Sequence, residues 1–230
     1  MKIRSVYFDL GLTLVYTPVD QVYQQVLASY GFQKGSQDIR KAFYLADKVF
    51  MRNYPHVLGT DPAYFMPWFL GIVNYNLGLR LNLAEAVTAY QEAYRNRNAG
   101  WRLIPGADRL LQQLRARGIH TGLISNWDTT CRRVLAENGL DTLLETVVIS
   151  SETGLEKPDP HIFETALNRS GIKPEQTLFV GDNYYDDVIG AAKCGIRCLL
   201  LAPYGRLGME EIRYQPMLSN IGEVLNYLES

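Results

Sequence analysis

"IRSVYFDLGLT", residues 3–13, decides how the rest of this chain is read. Its first six residues form an apolar, β-branched and aromatic run, the composition of a strand buried on both faces of a parallel sheet. The run ends in a carboxylate, Asp9, followed by Gly11, Leu12 and Thr13. In a parallel sheet all carboxyl ends lie along one rim, where the connecting loops meet. An acid there calls for a search of the chain for other polar groups brought to the same rim.

Four further runs have the same strand character: "IHTGLIS" (119–125), "TVVIS" (146–150), "QTLFVG" (176–181) and "IRCLLLA" (196–202). Helical patterns alternate with them, in "GADRLLQQLRARG" (106–118), "TTCRRVLAENG" (129–139), "DPHIFETALNRSG" (159–171) and "DDVIGAAKCG" (186–195), several closed by Gly. Such alternation predicts an α/β fold with a doubly wound parallel sheet. Residues 16–100 read differently, as a succession of aromatic-rich helical stretches with no convincing strand. The expected organisation is a core of residues 1–15 and 101–230 with a helical insertion over 16–100, in which Tyr44, Phe65, Trp68, Phe69 and Tyr90 are expected to pack as core.

Composition narrows the partners. With 23 basic and 24 acidic residues and a net charge of −1, no basic stripe is present to track a nucleic-acid backbone. No apolar run reaches the ~18–20 residues of a membrane helix. The N-terminal "MKIRSVYFDL" becomes a strand too soon for a signal peptide, so a cytoplasmic location is expected. Cys131, Cys194 and Cys198 lack metal-binding spacing and read as buried free thiols.

Three strand ends carry polar signals: Asp9, then Ser125 with Asn126, then "GDNYYDD" (181–187). A fourth signal, "EKPDP" (156–160), sets Lys157 just before a helix whose first turn holds Pro158 or Pro160. In this order, "FDLGLT", "GLISN", "LEKPDP" and "FVGDNYYDDVIGA" resemble the haloacid dehalogenase (HAD) superfamily, with the helical stretch in the place of that family's cap. The resemblance implies a Rossmann-like HAD core and a hydrolase using a covalent aspartyl intermediate. It makes Asp9 the nucleophile, Thr13 and Ser125 donors to the transferred group, and Asn126 a further amide or backbone donor. Lys157 would offset the charge of nucleophile and substrate. Mg²⁺ would be held by Asp9, the carbonyl of Gly11 and Asp182. Asp187 would orient Lys157 or a metal-bound water, and Asp186 would cap the following helix.

The first motif departs from the family's pattern. Phosphatases of the family carry a second Asp two residues after the nucleophile, and this chain has Gly11. Acid/base help is worth about 10² to 10⁴ in rate, so its loss weakens turnover of esters with poor leaving groups. Leu12 stands where the family commonly has Gly. If that residue needs positive φ a leucine is strained, and the expectation is a remodelled loop in which Gly11 takes the unusual torsion. The leading reading is a Mg²⁺-dependent phosphatase of a small phosphorylated metabolite, as a monomer or homodimer. The alternatives are a non-catalytic homologue binding a phosphate ligand or a protein, a 2-haloacid dehalogenase, which Asp182 disfavours, and a phosphonate-cleaving enzyme using Lys34, Lys41 or Lys48 of the cap.

Overall fold

Strand β1 (Ser5–Phe8) is buried at every residue, as its uninterrupted apolar run requires. It is followed by β2 (Val15–Tyr16), then by helices α1 (Val19–Ser29), α2 (Ser36–Asn53), α3 (Pro62–Asn76) and α4 (Leu83–Asn96). The chain continues through β3 (Arg102–Leu103), α5 (Ala107–Ala116), β4 (His120–Ser125), α6 (Cys131–Glu137), β5 (Thr146–Ile149), α7 (Ser150–Thr153) and α8 (Pro160–Ser170). It ends with β6 (Thr177–Gly181), α9 (Ile189–Lys193), β7 (Arg197–Leu201) and β8 (Met217–Leu218). The structure, a computed structural model, describes residues 2–97 and 99–228.

Two compact units result. One contains residues 2–16, Arg102–Arg206 and residues 212–228; the other contains residues 17–97 and 99–101 and Leu207–Glu211. In the first, the six-stranded sheet has the order β5-β4-β1-β6-β7-β8, with every neighbouring pair parallel. The chain winds outward from β1 through β4 to β5, then returns to place β6 on the other side of β1. The carboxyl end of β1 is therefore the point where the winding reverses, and a crevice opens there between β4 and β6. Where the chain leaves this unit and re-enters it, β2 and β3 pair antiparallel, Val15 with Leu103 and Tyr16 with Arg102.

The helices begin and end where local chemistry dictates. Asp159 accepts from His161 N at 2.9 Å at the start of α8, Pro160 occupies its first turn, and Gly171 takes φ +66° just past its end. The helix expected over 186–195 is instead a π-helical turn at Tyr184–Val188 running into α9.

The second unit is all helical and packs a cluster of aromatic rings. Phe43, Phe50, Phe65, Phe69 and Tyr90 are buried together, and Tyr23 donates its hydroxyl to Asn74 Oδ1 at 2.5 Å. Tyr44 is also buried, but Trp68 is 63% exposed, against the expectation of core packing. Tyr64, Trp68 and Tyr75 share one face of α3 at near-helical spacing and all point outward. Lys48 is buried in this unit, its ammonium 5.0 Å from the centroid of Tyr44 and 3.4 Å from Met51 Sδ, whereas Lys41 is exposed. Among the described residues, no helix is long and apolar enough to cross a membrane.

The central sheet leaves no space at Gly122, which lies opposite Tyr7 in the ladder. A β-carbon there would fall 2.2 Å from Tyr7 Cε1 and 3.0 Å from the Thr146 carbonyl oxygen. The Gly122→Ala variant is expected to lose roughly 1–3 kcal/mol of unfolding free energy by displacing that ring, read from the urea midpoint.

Candidate active site

Asp9 follows β1 directly, its backbone N–H still bonded to the Val180 carbonyl at 2.9 Å. The chain then turns tightly: Leu14 N and Val15 N both donate to the Leu10 carbonyl, at 2.9 and 3.0 Å, and Leu12 N donates to Val15 O at 2.7 Å. The strained torsion falls on Leu12, at φ +55°, and not on Gly11. This corrects the expectation that the glycine absorbs it. The turn's hydrogen bonds hold Leu12 in a conformation costing a non-glycine residue roughly 1–2 kcal/mol. Thr13 is fully buried, and its Oγ1 is without a hydrogen-bond partner among the described residues.

Two segments bring side chains into hydrogen bonds with Asp9. At the end of β4, Ser125 Oγ donates to Asp9 Oδ1 at 3.2 Å. From the segment before α8, Lys157 Nζ donates to the same oxygen at 2.7 Å and to Asp187 Oδ1 at 2.6 Å. The side chain of Lys157 is 3% exposed, that of Asp187 1% and that of Asp9 14%, so one ammonium lies between two largely dehydrated carboxylates. Asp182 follows β6 and is buried.

Two asparagines fix this geometry. The Asn126 amide is spent on the Lys157 backbone, Nδ2 donating to Lys157 O at 2.9 Å and Oδ1 accepting from Lys157 N at 2.8 Å. The structure thus gives the Asn126 side chain a bidentate hold on the loop that aims Lys157, where the sequence suggested an amide or backbone donor to the transferred group. Asn183, not Asp186, caps the turn after β6, accepting from Tyr185 N at 3.0 Å and Asp186 N at 3.4 Å, while Asp186 accepts from Asn183 Nδ2 at 2.7 Å. Asn183 N donates to Asp187 Oδ2 at 2.9 Å, which orients the carboxylate toward Lys157. A loop of the form Asp-Asn followed by paired acids is the signal that could have indicated this cap.

A haloacid dehalogenase-like hydrolase family model matches residues 3–195. The chain belongs to the haloacid dehalogenase-like hydrolase family. It is similar over its whole length to the haloacid dehalogenase-like hydrolase domain-containing protein 3 of Bos taurus, 26% identical and covering 96% of that protein. It is 31% identical to a glyceraldehyde 3-phosphate phosphatase of Pyrococcus furiosus, covering 99% of this chain and 94% of that protein. Among solved structures, the putative HAD-hydrolase YfnB from Bacillus subtilis, bound to magnesium, shares the fold with a TM-score of 0.66 at 17% identity, all of both chains being covered.

In this HAD hydrolase the electrostatics of the rim are dominated by burial. Burial raises the Asp9 pKa; Lys157 opposes the rise, Asp187 and Asp182 add to it, and the carboxyl is pushed up to about 7. Burial also works against the Lys157 ammonium, but Asp187 and Asp9 outweigh it and hold its proton more firmly than in water. The thiols are inert by the same physics. Burial pushes Cys131 up to about 12 and Cys198 well above its ordinary range, so neither offers a thiolate at neutral pH; Cys194, expected to be buried, is only half-buried.

The raised Asp9 pKa fixes a sign for stability. Between the unfolded value of about 3.9 and about 7, the native state binds the extra proton, so stability falls as pH rises through that window. Urea titrations of metal-free protein are expected to show this decline, and Asp9→Asn to remove Asp9's contribution to it. The Lys157→Met variant leaves two buried carboxylates without their cation and is expected to lose about 3–5 kcal/mol at pH 7, measured in the same titrations.

Proposed function

We propose that this hydrolase is a Mg²⁺-dependent phosphatase that transfers the phosphoryl group of a small metabolite to Asp9 and then to water. The observation that carries the reading is the Lys157 ammonium held between Asp9 and Asp187, at 2.7 and 2.6 Å. It offsets the repulsion that an anionic nucleophile would present to an anionic substrate in a water-poor site. The 31% identity to a glyceraldehyde 3-phosphate phosphatase supports a small phosphorylated substrate.

The residues fit a divalent cation. Asp187 and Asp182 both act on the Asp9 carboxyl, and Lys157 is bonded to Asp9 and Asp187, so three carboxyl groups stand against one ammonium. Among the described residues no group of three or more His, Cys, Asp or Glu side chains is arranged to hold a metal ion. A hard cation that retains several waters, as Mg²⁺ does, needs only one or two carboxylates. Asp9 and Asp182, with the Gly11 carbonyl, would hold it. When bound, Mg²⁺ would neutralise charge on the transferred phosphoryl group.

The remaining work belongs to this chain's own side chains. Asp9 attacks the phosphorus, with Ser125 keeping the carboxylate in line and Lys157 favouring its ionised form against the effect of burial. The buried Thr13 hydroxyl, unsatisfied as it stands, is a donor that a phosphate oxygen would satisfy. Asp187 positions Lys157. Gly11 supplies no acid, which favours a second reading, a phosphate-binding homologue without turnover. Mg²⁺-dependent binding of phosphate esters by calorimetry, with no product released, would distinguish it.

Purified protein with Mg²⁺ is expected to release orthophosphate from a panel of acyl, aryl and alkyl phosphates, to stop when the metal is chelated, and to fall to background in Asp9→Asn. Release that persists undiminished in Asp9→Asn would overturn the reading.

A further inference from the structure

Glycine at position 11 is explained by space. Its φ lies outside the left-handed region, the strained torsion being carried by Leu12, so the backbone alone places no demand for glycine there. A side chain at this position would meet the indole of Trp127: a β-carbon on Gly11 stands 3.2 Å from Cζ3 and 3.9 Å from Cη2. The nearer approach is inside the ~3.5–4.0 Å of an ordinary carbon contact, and a carboxylate would extend beyond the β-carbon.

The indole is held in place. Trp127 Nε1 donates to Thr130 Oγ1 at 3.1 Å, and the Thr130 hydroxyl donates to Asp128 Oδ1 at 2.5 Å. The backbone is pinned as well, Trp127 N donating to Ser150 Oγ at 3.0 Å and Trp127 O accepting from Ser151 N at 3.3 Å. Trp127 also follows directly on Ser125 and Asn126, which hold Asp9 and Lys157. A fixed, flat, apolar surface therefore flanks the Asp9 loop two residues beyond the carboxylate, in the space a side chain at 11 would need.

We propose that Trp127 forms the wall against which the leaving group rests, and that the site favours, over alkyl esters, monoesters whose leaving group is planar and departs unprotonated, aryl phosphates being the simplest. This rests on the phosphatase reading above. Asp9 Oδ forms a bond to phosphorus as the ester P–O bond breaks, and that bond's electron pair leaves with the aryl oxygen as a phenolate. Water then attacks the aspartyl-phosphate phosphorus, gives a proton to solvent and releases orthophosphate with Asp9 restored. No step requires an acid at the leaving oxygen. The neighbouring carboxylates are otherwise engaged, Asp187 with Lys157 and Asp182 with the cation it would bind. An alkoxide, far more basic, would depart slower by the factor acid catalysis ordinarily supplies, about 10² to 10⁴.

The experiment compares the parent chain, Gly11→Asp, Trp127→Ala and the double variant on 4-nitrophenyl, phenyl and ethyl phosphate with Mg²⁺. The parent is expected to show a steep fall in kcat/KM from aryl to ethyl phosphate. Gly11→Asp alone is expected to leave that fall in place, because the indole, 3.2 Å from the added β-carbon, crowds the carboxylate, and the double variant to narrow it by about 100-fold or more. A parent that treats aryl and alkyl esters alike, or a Gly11→Asp variant that narrows the gap as far as the double, overturns the proposal.

Binding gives a readout independent of turnover and of the variants' folding. The parent is expected to bind phenylphosphonate about 2- to 10-fold more tightly than methylphosphonate, the range of an aromatic contact. The accompanying change in tryptophan fluorescence is expected to vanish in Trp127→Phe, with Trp68 and Trp101 unchanged. Equal binding of the two phosphonates overturns the wall. Should no variant hydrolyse any ester, the phosphatase reading itself fails and takes the proposal with it; turnover without leaving-group preference sinks the proposal alone.

Discussion

An ammonium with almost no access to water, bonded to carboxylates from two different loops, is the constraint around which the candidate site is organised. Lys157 joins the loop after β1, through Asp9, to the turn after β6, through Asp187. Removing the ammonium would leave both carboxylates buried without their cation, a costly state. Much of the surrounding hydrogen bonding serves to keep this cluster in register: Asn126 grips the Lys157 backbone and Asn183 orients Asp187. The same enclosure makes Asp9 hard to ionise. A site of this kind is incomplete as charge chemistry until a cation or an anionic substrate with its counter-ion adjusts the balance.

The sheet order explains why residues far apart in the chain meet here. β1 lies between β4 and β6, so the loops that carry Asp9, Ser125 and Asp182 leave adjacent strands on the same rim. Glycines permit the close packing behind them. At Gly181 a β-carbon would fall 2.1 Å from Asp187 Oδ2, and at Gly190 it would fall 2.6 Å from Phe163 Cε2. The loop after β6 can fold back on its own strand only because Gly181 has no side chain. The catalytic-rim chemistry and the core packing thus draw on the same residues.

Gly11 and Trp127 form a second coupled pair. The family resemblance draws attention to the carboxylate that position 11 lacks, while the structure places a ring 3.2 Å from where a β-carbon there would stand. Loss of an acid and gain of an aromatic surface are then two aspects of one local packing arrangement. Leu12 belongs with them, since it accepts the positive φ that leaves residue 11 free to be chosen for space alone.

The sequence by itself determined the five core strands, most of the alternating helices, the helical character of the inserted region and, through the family resemblance, the meeting of Asp9, Ser125, Lys157 and Asp187. These are readable because burial on both faces writes continuous apolar runs and because capping and turn residues are local signals. The two-residue strands β2, β3 and β8 escaped, being too short to show any period. So did the exposure of Trp68, since an apolar helix such as α3 gives no clue to which of its faces is covered. The roles of Asn126 and Asn183, the torsion of Leu12 and the approach of Trp127 to Gly11 were decided only by tertiary structure. Each depends on the distance between atoms from separate segments, or on a turn's closed set of hydrogen bonds, and neither quantity leaves a periodic trace in a linear chain.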